Sequence, residues 1–509
     1  MATSQMANKV EQDIGYDNNT ITAQDISDPA LDPDKYGDPN IRMKALAWMG
    51  KNKVQIIDCP KPKLIEDRDV ILKVTGSTVC GSDLHLLHGS IAEMHKGDIL
   101  GHEFCGIIDE MGPAVKNFKK GDRVVASFQI ACGECLYCKK KLSSQCARTN
   151  ANKSMNAMYG GRTAGMFGYS HFTGGFAGGQ AEYVRVPLGD VNLLKLPDDV
   201  PDEKGLYLSD VVCTSWNCVV DTGVKKGDVV AIWGAGPVGQ MCAEFSFING
   251  ASRVIMIDHN WRLDFVKEKY PKVELVNYSE LKGTNPVVTK LKEMVDGYGP
   301  DIALECVAGE YPKGWLHTAE IAVGLETDTS EILNEMIESV KSFGRVGITG
   351  VYVGHTNNFN IGSIMERGIR LIGNGQAPVQ YYWEDLLKRI QDGQIDPLRM
   401  VTHRVRVEDL DKVYYKFEKK EDYMQKVFAQ TKFSAPPSLG EISKREEGSA
   451  GKSTEARKPS FNEAAVVFED SQDATFREAL GRFGKSTNHP RFYNRRHKIR
   501  PFKWRKEEY

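Results

Sequence analysis

No run of about 18 apolar residues occurs in the chain, so no segment reads as a membrane-spanning helix. The N-terminal stretch "MATSQMANKVEQDIGYDNN" lacks the apolar core of a secretory signal and carries acids that mitochondrial transit peptides avoid, while the final "KEEY" is no peroxisomal address. These absences predict a cytoplasmic protein. An excess of one charge sign is also missing: the formal net charge is −2, which gives the chain as a whole no preference for nucleic acid, anionic membrane or acidic ligands. No internal repeat is present, which sets solenoids aside. What remains is a globular composition, 41% hydrophobic and 26% charged, on a 509-residue chain too long for one ordinary domain. The 11 cysteines, in a reducing compartment, are read as metal ligands before disulfides.

Residues 1–40 are polar and aperiodic and read as a disordered arm. From 41 to 212, short β-rich runs such as "VILKVTG", "CGIIDEMG" and "AEYVRVP" alternate with Gly, Pro and Asp, the pattern of a mostly antiparallel β domain. From 213 to 373 apolar strands alternate with helical stretches, which predicts a doubly wound parallel α/β sheet. Residues 374–432 carry a helix and a last β-like run that either close that sheet or return to the first domain. Residues 433–509 are again low in apolar residues and read as a disordered tail ending in "HPRFYNRRHKIRPFKWRK". Its basic and aromatic residues would suit nucleic acid or a partner; a solvated end is the commoner meaning of such a run.

Gly234, Gly236 and Gly239 form GxGxxG in "GAGPVG", between the strand "VVAIW" and a helical run that starts with Pro237 and Val238. Asp258 ends the next strand, 19 residues beyond Gly239, near the spacing of about 20 at which an acid reaches the adenosine ribose. An acid there hydrogen-bonds a 2′-hydroxyl and repels a 2′-phosphate, so NAD is expected over NADP. Arg262 lies just beyond, close to the adenine or on an exposed helix face.

"CGECLYCKKKLSSQC" places Cys132, Cys135, Cys138 and Cys146 with two, two and seven residues between them. Four thiolates on one short lobe can close a tetrahedral zinc shell, an iron–sulfur cluster having ligand runs of similar spacing, and nothing nearby supplies a nucleophile or base, so the site reads as structural. "LSDVVCTSW" holds two further residues able to bind metal, Asp210 and Cys213, and spacing alone does not choose between them.

Taken together, this quartet, "CGSDLHLLHG", "GHEFCGIIDEMG", "GDRV" and "GAGPVG" resemble the zinc-dependent alcohol dehydrogenases of the medium-chain dehydrogenase/reductase superfamily, from about Met43 to Lys432. "GGFAGGQAEYVRVP", "NLLKLPDDV", "LSDVVCTSW" and "GNGQAPVQ" resemble the glutathione-independent formaldehyde dehydrogenase branch. The resemblance implies a GroES-like β catalytic domain with an inserted Rossmann NAD-binding domain, two zinc ions per chain, NAD, a small alcohol or aldehyde substrate, and a homo-oligomer, dimer or tetramer. It implies Cys80, His102 and Asp210 as ligands of a catalytic zinc, with Cys213 left to packing and Thr214 near the nicotinamide. Cys80 thiolate, neutral His102 and Asp210 carboxylate would together neutralise Zn²⁺. Glu103 is implied behind the metal, and Ser82 and His85 as a proton path ending in a group whose pKa suits exchange at neutral pH. His88, His95 and His171 match no role.

The implied reaction moves a hydride from an alcohol or aldehyde hydrate, held on zinc, to NAD. A polyol dehydrogenase of the same superfamily has the same constellation. A reading from another class makes the core a scaffold for the basic tail. The chain departs from the branch pattern at "DHNWR", which is one residue short before its arginine, and at Thr349 in "GITGVYVG", where proline is usual.

Overall fold

A computed structural model describes residues 29–435 apart from 260, 308–328, 353 and 355; the arm before residue 29 and the basic aromatic end lie outside the described residues. Two sheets organise them. In the first, six strands run parallel in the order Glu274–Asn277, Arg253–Asp258, Val229–Trp233, Ile302–Glu305, Arg345–Ile348 and Arg370–Gly373. Alternation of side chains along Val229–Trp233 explains why both faces are covered: Val230 and Ile232 pack with Phe245 and Cys242 on one side, while Ala231 and Trp233 pack with Leu291 and Met336 on the other. The strand order reverses direction at Val229–Trp233, which opens a crevice at the carboxyl ends of the strands, the place where such sheets bind ligands.

The second sheet has seven strands: Val401–Arg406, Lys426–Gln430, Val70–Ser77, Phe104–Met111, Arg123–Ala126 and Leu193–Lys195 in sequence across it, with Tyr183–Val186 also paired to Val70–Ser77. Only the first pair is parallel. The segment after residue 374 therefore returns to the β domain, because Lys426–Gln430 joins Val70–Ser77. This is a GroES-like β fold interrupted by a Rossmann fold. The interruption is not a clean cut at 212/213: one helix, Val211–Thr222, runs through that point and packs along Pro237–Ile248.

Two expectations about the chain ends need correction. Residues 29–40, read as part of a structureless arm, form a turn, a short helix Pro33–Tyr36 and the start of the strand Gly37–Gly50. Asp32 caps that helix by accepting from the Lys35 N–H at 3.2 Å, and Pro33 occupies the first turn, where its missing N–H costs nothing. Low hydrophobicity concealed a cap signal that was present. At the other end the core extends past Lys432: Phe433 meets the Tyr183 ring edge-on at 5.0 Å, and the Ser434 hydroxyl donates to the Thr75 carbonyl at 2.6 Å.

The two folds are joined by a polar contact in which Glu244 is buried and Arg399 reaches the surface. Glu244, on the helix Pro237–Ile248, accepts from Arg399 at 3.2 Å through one carboxylate oxygen, and its other oxygen is buried without a partner. Burial pushes the Glu244 carboxyl up to about 7, with Arg399 opposing and Asp396 adding to the rise. Because its pKa is raised on folding, the protonated form favours the folded state at low pH, and that advantage is lost as pH climbs from the unfolded value through about 7. Glu244→Gln should flatten the fall in stability between about pH 4.5 and 7, the window between the two pKa values, read as denaturant midpoints; an unchanged slope would remove Glu244 as the cause.

Candidate active site

The glycine turn is built as its spacing demands. Gly234 has φ 102°, a conformation disfavoured for residues with a side chain, and a Cβ there would meet the Cys306 carbonyl oxygen at 2.8 Å. A Cβ on Gly239 would collide with the Gly234 carbonyl, so the helix Pro237–Ile248 can lie this close to its strand only with glycine at that point. Gly236 differs: a Cβ there meets nothing within 4 Å. That open space lies at the N-terminus of a 12-residue helix, where free N–H groups and the helix dipole favour a pyrophosphate. Pro237 and Val238 open the helix. Asp258 accepts from the Ala235 N–H at 2.7 Å and from the His259 N–H at 2.7 Å, and Arg262 stands 3.8 Å from it. Burial opposes its ionisation, but His259, Arg262 and the backbone donors hold the carboxyl below its usual range. A nicotinamide dinucleotide fits this cradle.

The metal-competent cluster comes from three places in the chain. Cys80 caps the short helix Gly81–Leu87, His102 precedes the strand Phe104–Met111, and Asp210 precedes the helix Val211–Thr222. Cys80, His102, Glu103 and Asp210 each offer a ligand atom, and all four atoms lie within 4.8 Å of one another. His102 Nε2 is 3.3 Å from Asp210 Oδ2 and 3.8 Å from Glu103 Oε1, and both of its ring nitrogens are buried without a hydrogen bond. An orphaned buried imidazole facing a thiol and two carboxylates fits a bound cation. Cys213 points elsewhere: it is fully buried, and its thiol lies 3.1 Å from the Leu208 carbonyl. Thr214, expected near the nicotinamide, donates its hydroxyl to Asp210 Oδ1.

Four residues around this cluster were not anticipated. Asp83 Oδ1 stands 3.4 Å from His102 Nδ1, and its Oδ2 accepts from the Cys80 N–H at 2.9 Å, so one buried carboxylate orients two of the candidate ligands. Gln180 donates to the same carboxylate at 3.3 Å and accepts from Tyr414 at 2.8 Å. Lys426 Nζ pairs with Glu103 Oε1 at 2.5 Å in a fully buried contact. Tyr169 meets the His102 ring edge-on at 5.2 Å. For Asp83 the signal was its place three residues after Cys80. For Lys426, 323 positions from Glu103, no local signal existed.

Ser82 and His85 share the helix Gly81–Leu87 and are both buried. His85 is 4% exposed, so its ring is not at the bulk surface expected of the outer end of a proton path; Leu84, Leu86 and Leu87 bury that helix on all sides. The other cysteine lobe is compact. Cys132 and Cys138 Sγ are 3.9 Å apart, and Cys135 and Cys146 Sγ 4.0 Å. The Glu134 and Cys135 N–H groups point at Cys132 Sγ, and the Cys132 N–H points at Cys146 Sγ. Sulfurs that close, with N–H donors turned on them, fit a thiolate-bound zinc. His95 and His171, given no role, stack at 3.9 Å beside Asp98.

A Rossmann sheet with its glycine turn, set into a GroES-like β domain, defines a medium-chain dehydrogenase/reductase. Residues 66–198 match the alcohol dehydrogenase GroES-like domain family. A zinc-type alcohol dehydrogenase-like protein of Schizosaccharomyces pombe is 41% identical over 388 residues, covering 76% of this chain and 90% of that protein. A glutathione-independent formaldehyde dehydrogenase of Pseudomonas aeruginosa is 29% identical over 401 residues, covering 74% and 94%. The solved alcohol dehydrogenase from Thermus sp. ATN1 superposes with a TM-score of 0.63 at 29% identity, covering 76% of this chain and 99% of that one. The chain belongs to the zinc-type alcohol dehydrogenases of the medium-chain dehydrogenase/reductase superfamily, zinc-dependent oxidoreductases of alcohols and aldehydes that use a nicotinamide dinucleotide.

The Glu103–Lys426 pair has a measurable signature. Lys426→Met strands a buried carboxylate and should cost about 3–5 kcal/mol, whereas the double variant Glu103→Leu/Lys426→Met should recover most of that loss. Guanidinium midpoints of the two variants provide the comparison, and equal losses would contradict a paired burial.

Proposed function

We propose that Cys80, His102 and Asp210 hold a catalytic zinc, that Cys132, Cys135, Cys138 and Cys146 hold a structural one, and that the chain oxidises small alcohols or aldehyde hydrates with NAD. The observation that carries the reading is the convergence of Cys80, His102 and Asp210 on one buried point, with Cys213 turned away. Bound there, zinc supplies Lewis acidity that lowers the pKa of a substrate hydroxyl. NAD supplies the hydride acceptor.

The chain's own residues do the rest. Asp83 fixes the His102 ring through Nδ1, which leaves Nε2 as the ligand nitrogen. Thr214 occupies Oδ1 of Asp210 and leaves Oδ2 facing His102. Lys426 neutralises Glu103 and keeps that carboxylate behind the ligands. Ser82 takes the substrate proton and His85, on the same helix face one turn on, receives it. With His85 buried, the last transfer to solvent needs the bound cofactor ribose, a water or a small opening of the Gly81–Leu87 helix.

Asp258 supports NAD over NADP, because a 2′-phosphate would meet a carboxylate held ionised. Homo-oligomer formation is supported by the edge strand Arg370–Gly373, which is largely exposed, together with Ile361, Met365 and Phe343 beside it. The similarity to glutathione-independent formaldehyde dehydrogenase supports short aldehyde hydrates as one substrate class, and the cytosol is the proposed compartment.

Metal analysis of the purified chain should find two zincs, and a panel of alcohols, polyols and aldehydes should reduce NAD far faster than NADP. Asp210→Ala should retain one zinc and lose activity by at least about a thousandfold, the scale of removing a main source of transition-state charge stabilisation, whereas Cys213→Ala keeps both metals and most turnover. The reverse pattern would transfer the ligand role to Cys213.

A further inference from the structure

A third group of cysteines, separate from both zinc clusters, lies inside the Rossmann fold. Cys218 sits on the helix Val211–Thr222, Cys242 on Pro237–Ile248, and Cys306 directly follows the strand Ile302–Glu305. Their sulfurs all lie within 4.8 Å of one another, and Cys242 and Cys306 are 3.9 Å apart. For metal–sulfur bonds of about 2.3 Å, sulfurs at the corners of a trigonal site are roughly 4.0 Å apart. That is also the spacing within the Cys132 lobe. Cys218 and Cys242 are fully buried, and Cys306 is partly exposed, which gives the group one open side.

From this geometry we propose that Cys218, Cys242 and Cys306 form a site for one thiophilic monovalent cation, Cu(I), whose occupation opposes dinucleotide binding. Three sulfurs, with no carboxylate or imidazole joining the group among the described residues, suit a trigonal soft ion; zinc prefers four ligands. Binding expels thiol protons to the buffer and involves no electron transfer. Antagonism follows from where the three sulfurs are anchored, and this part rests on the reading that the glycine turn holds NAD. The Cys306 N–H donates to the Trp233 carbonyl at 2.9 Å, one residue before Gly234, whose Cα faces the Cys306 carbonyl. Cys242 lies on the helix whose N-terminus faces the pyrophosphate space. Cys218 lies one helical turn beyond Thr214, the partner of Asp210. The Cys242 thiol lies 3.6 Å from the Ser215 carbonyl, and the Ser215 hydroxyl donates to the Val238 carbonyl at 3.2 Å, so the two helices are already tied at this level. One ion held by all three sulfurs cross-links the three elements at their present spacing and so resists the adjustment of the turn and its helix that dinucleotide binding makes.

The test uses the full-length, zinc-loaded chain and anaerobic Cu(I) supplied as its acetonitrile complex. One copper per chain should bind with no zinc released, with a sulfur-to-copper absorption band in the near ultraviolet and NADH binding weakened roughly tenfold, within the usual range of coupling between sites. Cys242→Ser and, separately, the more exposed Cys306→Ser should abolish that copper equivalent while leaving NADH affinity measured without copper unchanged. Copper uptake matched by zinc release, retention of the equivalent in both variants, or copper binding that leaves NADH affinity unaltered would overturn the proposal. NADH titration without copper tests the dinucleotide reading separately: if NADH fails to bind there, that reading falls, while copper uptake by the three sulfurs still stands or falls on the metal count.

Discussion

The fold is organised around a concentration of negative charge that is largely withdrawn from water. Asp83 and Glu103 are fully buried, the Asp210 side chain is 15% exposed, and Cys80 adds a thiol, all around the single imidazole of His102. A desolvated carboxylate persists only when paired or bound to a cation. Lys426 accounts for one of these charges, and the rest require a divalent ion or protons. Distant parts of the chain are recruited to meet that demand: the candidate ligands Cys80, His102 and Asp210 all precede the Rossmann insertion, and Lys426 arrives from beyond its exit. The β domain is thus closed around the site by electrostatics as much as by its apolar core.

Much of this was readable in the sequence because the relevant signals are local. The glycine turn needs only a strand, three glycines and a helix, and the Cys132 lobe needs four thiols close in sequence, so both patterns are visible within a few residues. The choice of Asp210 over Cys213 came from family register, and the geometry adds an independent reason: Cys213 falls on the helix face turned to the core. What could not be read were partners at long sequence separation. Nothing near Lys426 marks it as the counter-ion of Glu103, and nothing near Tyr169 marks it as a neighbour of Ser82 and His102.

The errors at the chain ends have a different cause. Composition averages over a window, whereas residues 29–40 are held by a few specific contacts: an Asp32 cap, the buried Tyr36, and pairing of Gly37–Gly50 with Lys53–Pro62. A polar segment can be ordered when it borrows a sheet edge. The buried His85 is a similar case, since a helix with apolar residues on every side hides a histidine whose chemistry suggested exposure.

The return of the chain to the β sheet also sets an order of assembly. The strand Lys426–Gln430 that completes the seven-stranded sheet follows the whole Rossmann fold, so a growing polypeptide has finished the nucleotide domain before the catalytic sheet can close. Until then Glu103 has no Lys426, and Ser77, at the end of the strand Val70–Ser77, lacks its pairing with Ala429. The nascent protein passes through a state with a finished cofactor domain and an unfinished reaction site.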